Sequence, residues 1–176
     1  DLGTRTRVDT AMRPSDAQLA AIADRLLASD RPAILAGNEV VTSDAFAEVA
    51  RFADALGAPA FQQTTAYGSF FPSEHPAFMG ALSRNQKEVR AILDDYDLLV
   101  VVGADVLRMS VMSETEPLPP DLPIVQFGLV DWEMGKNYPA DMAVRGDVRE
   151  TLSVLCPVIE ERGGAGHAET ARSRIA

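Results

Sequence analysis

The sequence holds a single cysteine, Cys156, and only two histidines, His75 and His167. One cysteine excludes an internal disulfide and any zinc site built on cysteines, so nothing calls for an oxidising compartment. Long apolar runs are also missing. The longest, Leu98–Val102 followed by Gly103 and Ala104, is far too short for a bilayer span. Basic residues are scarce: 16 Lys plus Arg stand against 26 Asp plus Glu, and the net charge of −10 repels nucleic acid and anionic lipid. Neither nucleic acid nor membrane is expected as a partner. The start, Asp1-Leu2-Gly3-Thr4-Arg5-Thr6-Arg7, has no initiator methionine and no apolar leader core. The chain therefore reads as an excised piece of a longer cytoplasmic protein.

What is present suits one globular domain: 176 residues, 47% of them apolar and 24% charged. Ser15 and Gln18 have capping-box spacing, and Leu19, Ile22, Ala23, Leu26 and Leu27 follow at helical intervals. The apolar run 32–36 stopped by Gly37 predicts a strand buried on both faces. Ser43 is placed to cap a second helix, with Phe46, Val49, Ala50, Ala53 and Leu56 on one face and Gly57 as its stop. Further strands are expected at 59–63, 98–102, 123–127 and Met142–Arg145, with a very short one at Phe78-Met79. A helix beginning at Ser83 or Asn85 carries Val89, Ile92 and Leu93; helical potential recurs at 132–136. Asp147 caps a last helix with Glu150 three residues on, and Val148, Leu152, Leu155 and Ile159 form its buried face. Helices alternating with strands predict a three-layer α/β/α, Rossmann-like domain with a mainly parallel sheet of about six strands. Its expected limits are 15–162, between an N-terminal linker (1–14) and a Gly- and Ala-rich flexible tail (163–176).

No catalytic set emerges from the residues. His75 reads as a loop residue, His167 as part of the tail and Cys156 as core, and no G-x-S-x-G elbow is present. Asp94, Asp95 and Asp97 lack calcium-loop spacing and read as a solvated turn. Met109 and Met112 read as packing residues. In a doubly wound sheet, ligands bind beyond the carboxyl ends of strands. Two loops qualify, giving Gly37, Asn38, Gly103 and Ala104 as candidate nucleotide contacts with Arg108 as phosphate partner. Neither loop is G-x-G-x-x-G or a Walker A loop, and Glu39 puts negative charge where a phosphate would sit. The loop 64–71, with Tyr67, Phe70 and Phe71, offers an apolar surface to a neighbouring domain or folds over the sheet edge.

Five segments occur in order: Arg31-Pro32-Ala33-Ile34-Leu35-Ala36-Gly37, Gly57-Ala58-Pro59-Ala60, His75-Pro76-Ala77-Phe78-Met79-Gly80, Asp97-Leu98-Leu99-Val100-Val101-Val102-Gly103-Ala104, and Glu133-Met134-Gly135-Lys136-Asn137 leading to Gly146-Asp147-Val148. Together they resemble the central domain of thiamine-diphosphate-dependent enzymes, the group of acetohydroxyacid synthase and benzoylformate decarboxylase. The resemblance implies a six-stranded domain between an N-terminal pyrimidine-binding and a C-terminal diphosphate-binding domain, in a homo-oligomer acting on 2-keto acids. It implies thiamine diphosphate and Mg2+ held by those outer domains, and a central domain with no catalytic or metal residue that spaces them. Gly146-Asp147-Val148 lacks the third glycine of the family's magnesium motif. Some relatives bind FAD or ADP in this domain. Here their triple-glycine turn is replaced by Gly37-Asn38-Glu39, and their aspartate-rich turn by Gly128-Leu129-Val130-Asp131-Trp132.

Overall fold

The structure, a computed structural model, describes Asp9, residues 11–64 and residues 68–175. Three adjoining strands are buried throughout: β1 (Pro32–Ala36) and β4 (Leu98–Val102), both wholly apolar, and β5 (Ile124–Gly128), which carries Gln126. Strands covered on both faces have no solvent face for alternating polar residues, which is why two of the three, β1 and β4, read as continuous apolar runs. With β2 (Ala60–Gln62), β3 (Phe78–Ala81) and β6 (Met142–Arg145) they make a six-stranded sheet of order β3-β2-β1-β4-β5-β6. Every pairing is parallel, and β1 and β4 run in register from Pro32 opposite Leu98 to Ala36 opposite Val102.

The period of two divides the strand side chains between two cores. Ile34, Ala36, Leu98, Val100, Val102, Val125 and Phe127 face one layer. That layer consists of α1 (Asp16–Leu27), α3 (Phe46–Leu56) and α5 (Val148–Ile175). Ala33, Leu35, Leu99, Val101 and Ile124 face the other, built by Val89 and Leu93 of α4 (Gln86–Leu93) and by Val106, Leu107 and Leu122. The β4–β5 connection contains no helix: Pro117, Pro119 and Pro120 interrupt it, and its apolar residues cover the sheet as irregular chain.

Local chemistry explains the boundaries. Ser15 and Gln18 make the reciprocal capping box of α1, and Asn85 caps α4 by accepting from Lys87 N at 3.0 Å. The second helix differs from expectation. A one-turn helix, α2 (Asn38–Thr42), follows Gly37 directly, and α3 starts after Ala45, which makes no side-chain cap. Ser43 is the C-cap of α2 instead, and its hydroxyl donates to Asp147 Oδ2 at 2.9 Å, a partner distant in sequence. The helical potential at 132–136 yields only a single 3-10 turn, Asp131–Glu133.

Beyond the break at Gly164 the chain is helical again to Ile175, rather than the expected frayed tail. Gly164, at φ 62°, bends α5, and the chain beyond it lies on α3. His167 Nε2 is 2.9 Å from Ala55 O, and Ala171 is buried. A Cβ on Gly57 would fall 2.3 Å from Ala171 Cα, so glycine at the α3 C-cap both takes the left-handed conformation and admits the returning helix. Of the expected linker 1–14, Asp9 and residues 11–14 are described. There Met12 O accepts from Asp147 N at 2.8 Å.

Candidate functional site

Successive strands leave β1 in one direction along the sheet and β4 in the other, so the switch point lies between the ends of these two strands. That is where an open α/β sheet has its crevice. The structure brings Gly37, Asn38, Gly103 and Ala104 together there. Gly37 N donates to Val102 O at 2.9 Å, and Glu39 N to Gly103 O at 3.1 Å. The loops touch directly: a Cβ on Gly37 would lie 2.4 Å from Ala104 Cβ and 2.5 Å from Gly103 O. Gly103 adopts φ 61°, a left-handed turn that suits glycine. Asn38 is exposed at the start of α2. Arg108 stands apart from these four, with Nε 2.7 Å from Asp105 Oδ2.

Glu39 shapes the crevice more than either glycine. Its side chain passes Gly103 and reaches the end of β5, where Oε2 accepts from Leu129 N at 2.5 Å and Oε1 from Val130 N at 3.3 Å. Burial raises the pKa of this carboxyl above the ordinary glutamate value. The two amide hydrogen bonds oppose that shift without cancelling it, and the charges of Asp147 and Glu133 reinforce it. A half-buried carboxyl group thus already sits on the Leu129 and Val130 amides.

Neighbouring polar groups are likewise engaged within the fold. Asp147, 8% exposed, accepts from Glu150 N at 3.1 Å through Oδ1 and from Ser43 Oγ through Oδ2. The residues of Gly146-Asp147-Val148 therefore do not fit a magnesium diphosphate site, because the carboxylate caps α5 and holds α2. Gln63 donates to Asp105 and to Val106 O, while Gln126 donates to Ala104 O at 2.8 Å and accepts from Gly135 N at 3.2 Å. These two buried glutamines organise the loops, and the sequence reading missed both. Gln126 interrupts an otherwise apolar strand, a signal that a polar partner waits inside.

The other candidates fall into structural roles. Cys156 is buried, and desolvation pushes its thiol up to about 12. His75 braces its loop: Nδ1 accepts from Ala77 N at 3.2 Å, Nε2 lies 3.4 Å from Asp54 Oδ1, and Phe71 packs edge-on against the ring. Asp94 pairs with Arg90, but Asp97 is no solvated turn residue. It accepts from Ser29 Oγ, Asp30 N and Arg31 N, fastening the loop before β1 to the start of β4. Met109 packs on the second core, whereas Met112 is 74% exposed. Of the two readings of the 64–71 loop, packing over the sheet holds for Phe70 and Phe71, which are buried in the first core; Tyr67 lies outside the described residues.

Among the described residues no three His, Cys, Asp or Glu side chains are grouped to hold a metal ion. Also among them, no helix is long and apolar enough to cross a membrane. A groove of about 550 Å³ between Leu118, Pro119, Pro120, Pro123 and Tyr138 lies at the opposite, amino end of β5, away from the crevice.

Comparison with known proteins agrees with this architecture. The chain is 31% identical over 149 residues to benzoylformate decarboxylase of Pseudomonas aeruginosa, an alignment covering 85% of this chain and 28% of that protein. It is 30% identical over 142 residues to the acetolactate synthase large subunit of Corynebacterium glutamicum, covering 80% of this chain and 22% of that one. The thiamine diphosphate-dependent 4-hydroxybenzoylformate decarboxylase of Rhodococcus jostii superposes with a TM-score of 0.78 at 25% identity, over 88% of this chain and 29% of that structure. The chain thus spans less than a third of the length of these relatives. Residues 19–155 match the family model for the central domain of thiamine pyrophosphate enzymes, and the chain belongs to that family.

Proposed function

We propose that this chain is the non-catalytic central domain of a cytoplasmic enzyme that uses thiamine diphosphate and Mg2+ to act on a 2-keto acid, as a decarboxylase or in acetolactate-synthase-like carbon transfer. Its work is to space an N-terminal pyrimidine-binding and a C-terminal diphosphate-binding domain and to support a homo-oligomer. The observation that carries this reading is the match over 19–155 to the family's central domain. The engagement of Asp147 as a cap and of Glu39 on the Leu129 and Val130 amides supports it, because both carboxylates are already used within the fold. In such an enzyme the thiamine ring supplies the electron sink for loss of carbon dioxide. No residue of this chain is assigned a part in that step.

Calorimetric titration of thiamine diphosphate with Mg2+ into this chain tests the assignment. The expected result is no saturable heat. Binding with a Kd of about 100 μM or tighter would place the cofactor site in this domain and contradict the reading.

A further inference from the structure

The crevice at the switch point is bordered by glycines whose missing side chains all make room for neighbouring groups. Gly37 admits the Gly103-Ala104 turn, as described above. The other two accommodate Glu39: a Cβ on Gly103 would lie 2.5 Å from Glu39 Cβ, and one on Gly128 would lie 2.8 Å from Glu39 Oε1 and 3.0 Å from Oε2. The glutamate side chain therefore starts beside β1, crosses the end of β4 over Gly103, and ends against Gly128 at the end of β5. Its carboxylate then meets two backbone amides at hydrogen-bond distance. Gly128 has no positive φ, so the chain conformation there does not demand glycine. The close approach of the carboxylate does.

We propose that Glu39 is a built-in occupant of the crevice, its carboxylate standing in for an oxyanion such as a pyrophosphate, so that the domain closes its own ligand position and staples the two halves of the sheet together. Amide pairs that donate to a carboxylate in this geometry offer the same two donors to a phosphate oxygen. The inference goes beyond the proposed function and holds whichever keto acid the parent enzyme uses. Ionised Glu39 also faces Asp147 and Glu133, so the position bears negative charge from three elements: α2, the start of α5 and the 3-10 turn. A free anion entering with Glu39 in place meets both a filled space and like charge.

Inorganic pyrophosphate is the probe, titrated into the wild-type chain, Glu39→Ala and the double variant Glu39→Ala/Gly128→Ala, with amide shifts followed by NMR. The expected result is saturable binding to Glu39→Ala alone, at least about tenfold tighter than to wild type, with shifts at Leu129 and Val130. In the double variant the new methyl group refills the position and binding is lost. Glu39→Gln keeps the side-chain volume and tests the staple separately. Its NH2 group replaces one of the two acceptor oxygens, each of which serves a different amide, so hydrogen exchange at Leu129 or Val130 is expected to speed up about tenfold. The proposal is overturned by absence of binding to Glu39→Ala, by equal binding to wild type, by binding that persists in the double variant, or by unchanged exchange in Glu39→Gln.

Discussion

Glu39 and Asp97 are both partly buried carboxylates, and burial raises the pKa of each. Their hydrogen bonds decide the outcome differently. For Asp97, donation from Ser29, Arg31 and Asp30 outweighs burial and leaves the group below the ordinary aspartate value. Its contribution to stability is therefore present at neutral pH and lost as pH falls through that lowered value. Asp97→Ala is expected to cost about 1–2 kcal/mol at pH 7, and the gap from wild type to narrow as pH falls from the ordinary aspartate value through the lowered one, as read by urea unfolding at several pH values. Glu39 has the opposite sign. Its raised pKa makes stability fall as pH rises from the ordinary glutamate value through the folded one, and Glu39→Gln should remove that slope in the same measurement. Cys156 provides a third test at this scale. With its thiol pushed up to about 12 and its side chain buried, it should resist thiol reagents at pH 8 until the chain unfolds.

Among the elements, those defined by neighbouring residues were legible in the sequence. The Ser15–Gln18 capping box and the pentapeptides of β1 and β4 carry their signals within a few residues, and each forms where expected. Elements fixed by distant partners were not legible. Ser43 fits a helix cap by spacing, but its hydroxyl serves Asp147, and α3 begins uncapped. Gly163, Gly164 and Gly166 give the C-terminal segment the composition of a linker, yet it folds back because Gly57 leaves room for Ala171. The candidate crevice shows the same division: its glycines were readable as turns, whereas the amides that hold Glu39 lie at the end of another strand. A pair of substitutions tests the docked helix. Gly57→Ala strains a left-handed residue and collides with Ala171, and should lower stability by at least about 2 kcal/mol. Gly166 is helical with open space around it, so Gly166→Ala should raise stability by about 0.5–1 kcal/mol. Thermal unfolding of the two variants distinguishes a packed helix from a loose tail, for which Gly166→Ala would be neutral and Gly57→Ala would cost only the strain of the left-handed residue, about 1 kcal/mol.

For the molecule as a whole, the parallel sheet and the match to the central-domain family describe a domain that corresponds to less than a third of the length of its relatives. The low cysteine and histidine content belongs to the same account, since Cys156, His75 and His167 all have structural roles. If the chemistry resides in outer domains, this chain should fold cooperatively, with its two cores intact, and remain inert. The most direct test is steady-state decarboxylation of benzoylformate and of pyruvate by the purified chain, supplied with thiamine diphosphate and Mg2+. The account predicts carbon dioxide release indistinguishable from the cofactor-only control; saturable turnover that requires the folded chain would contradict it.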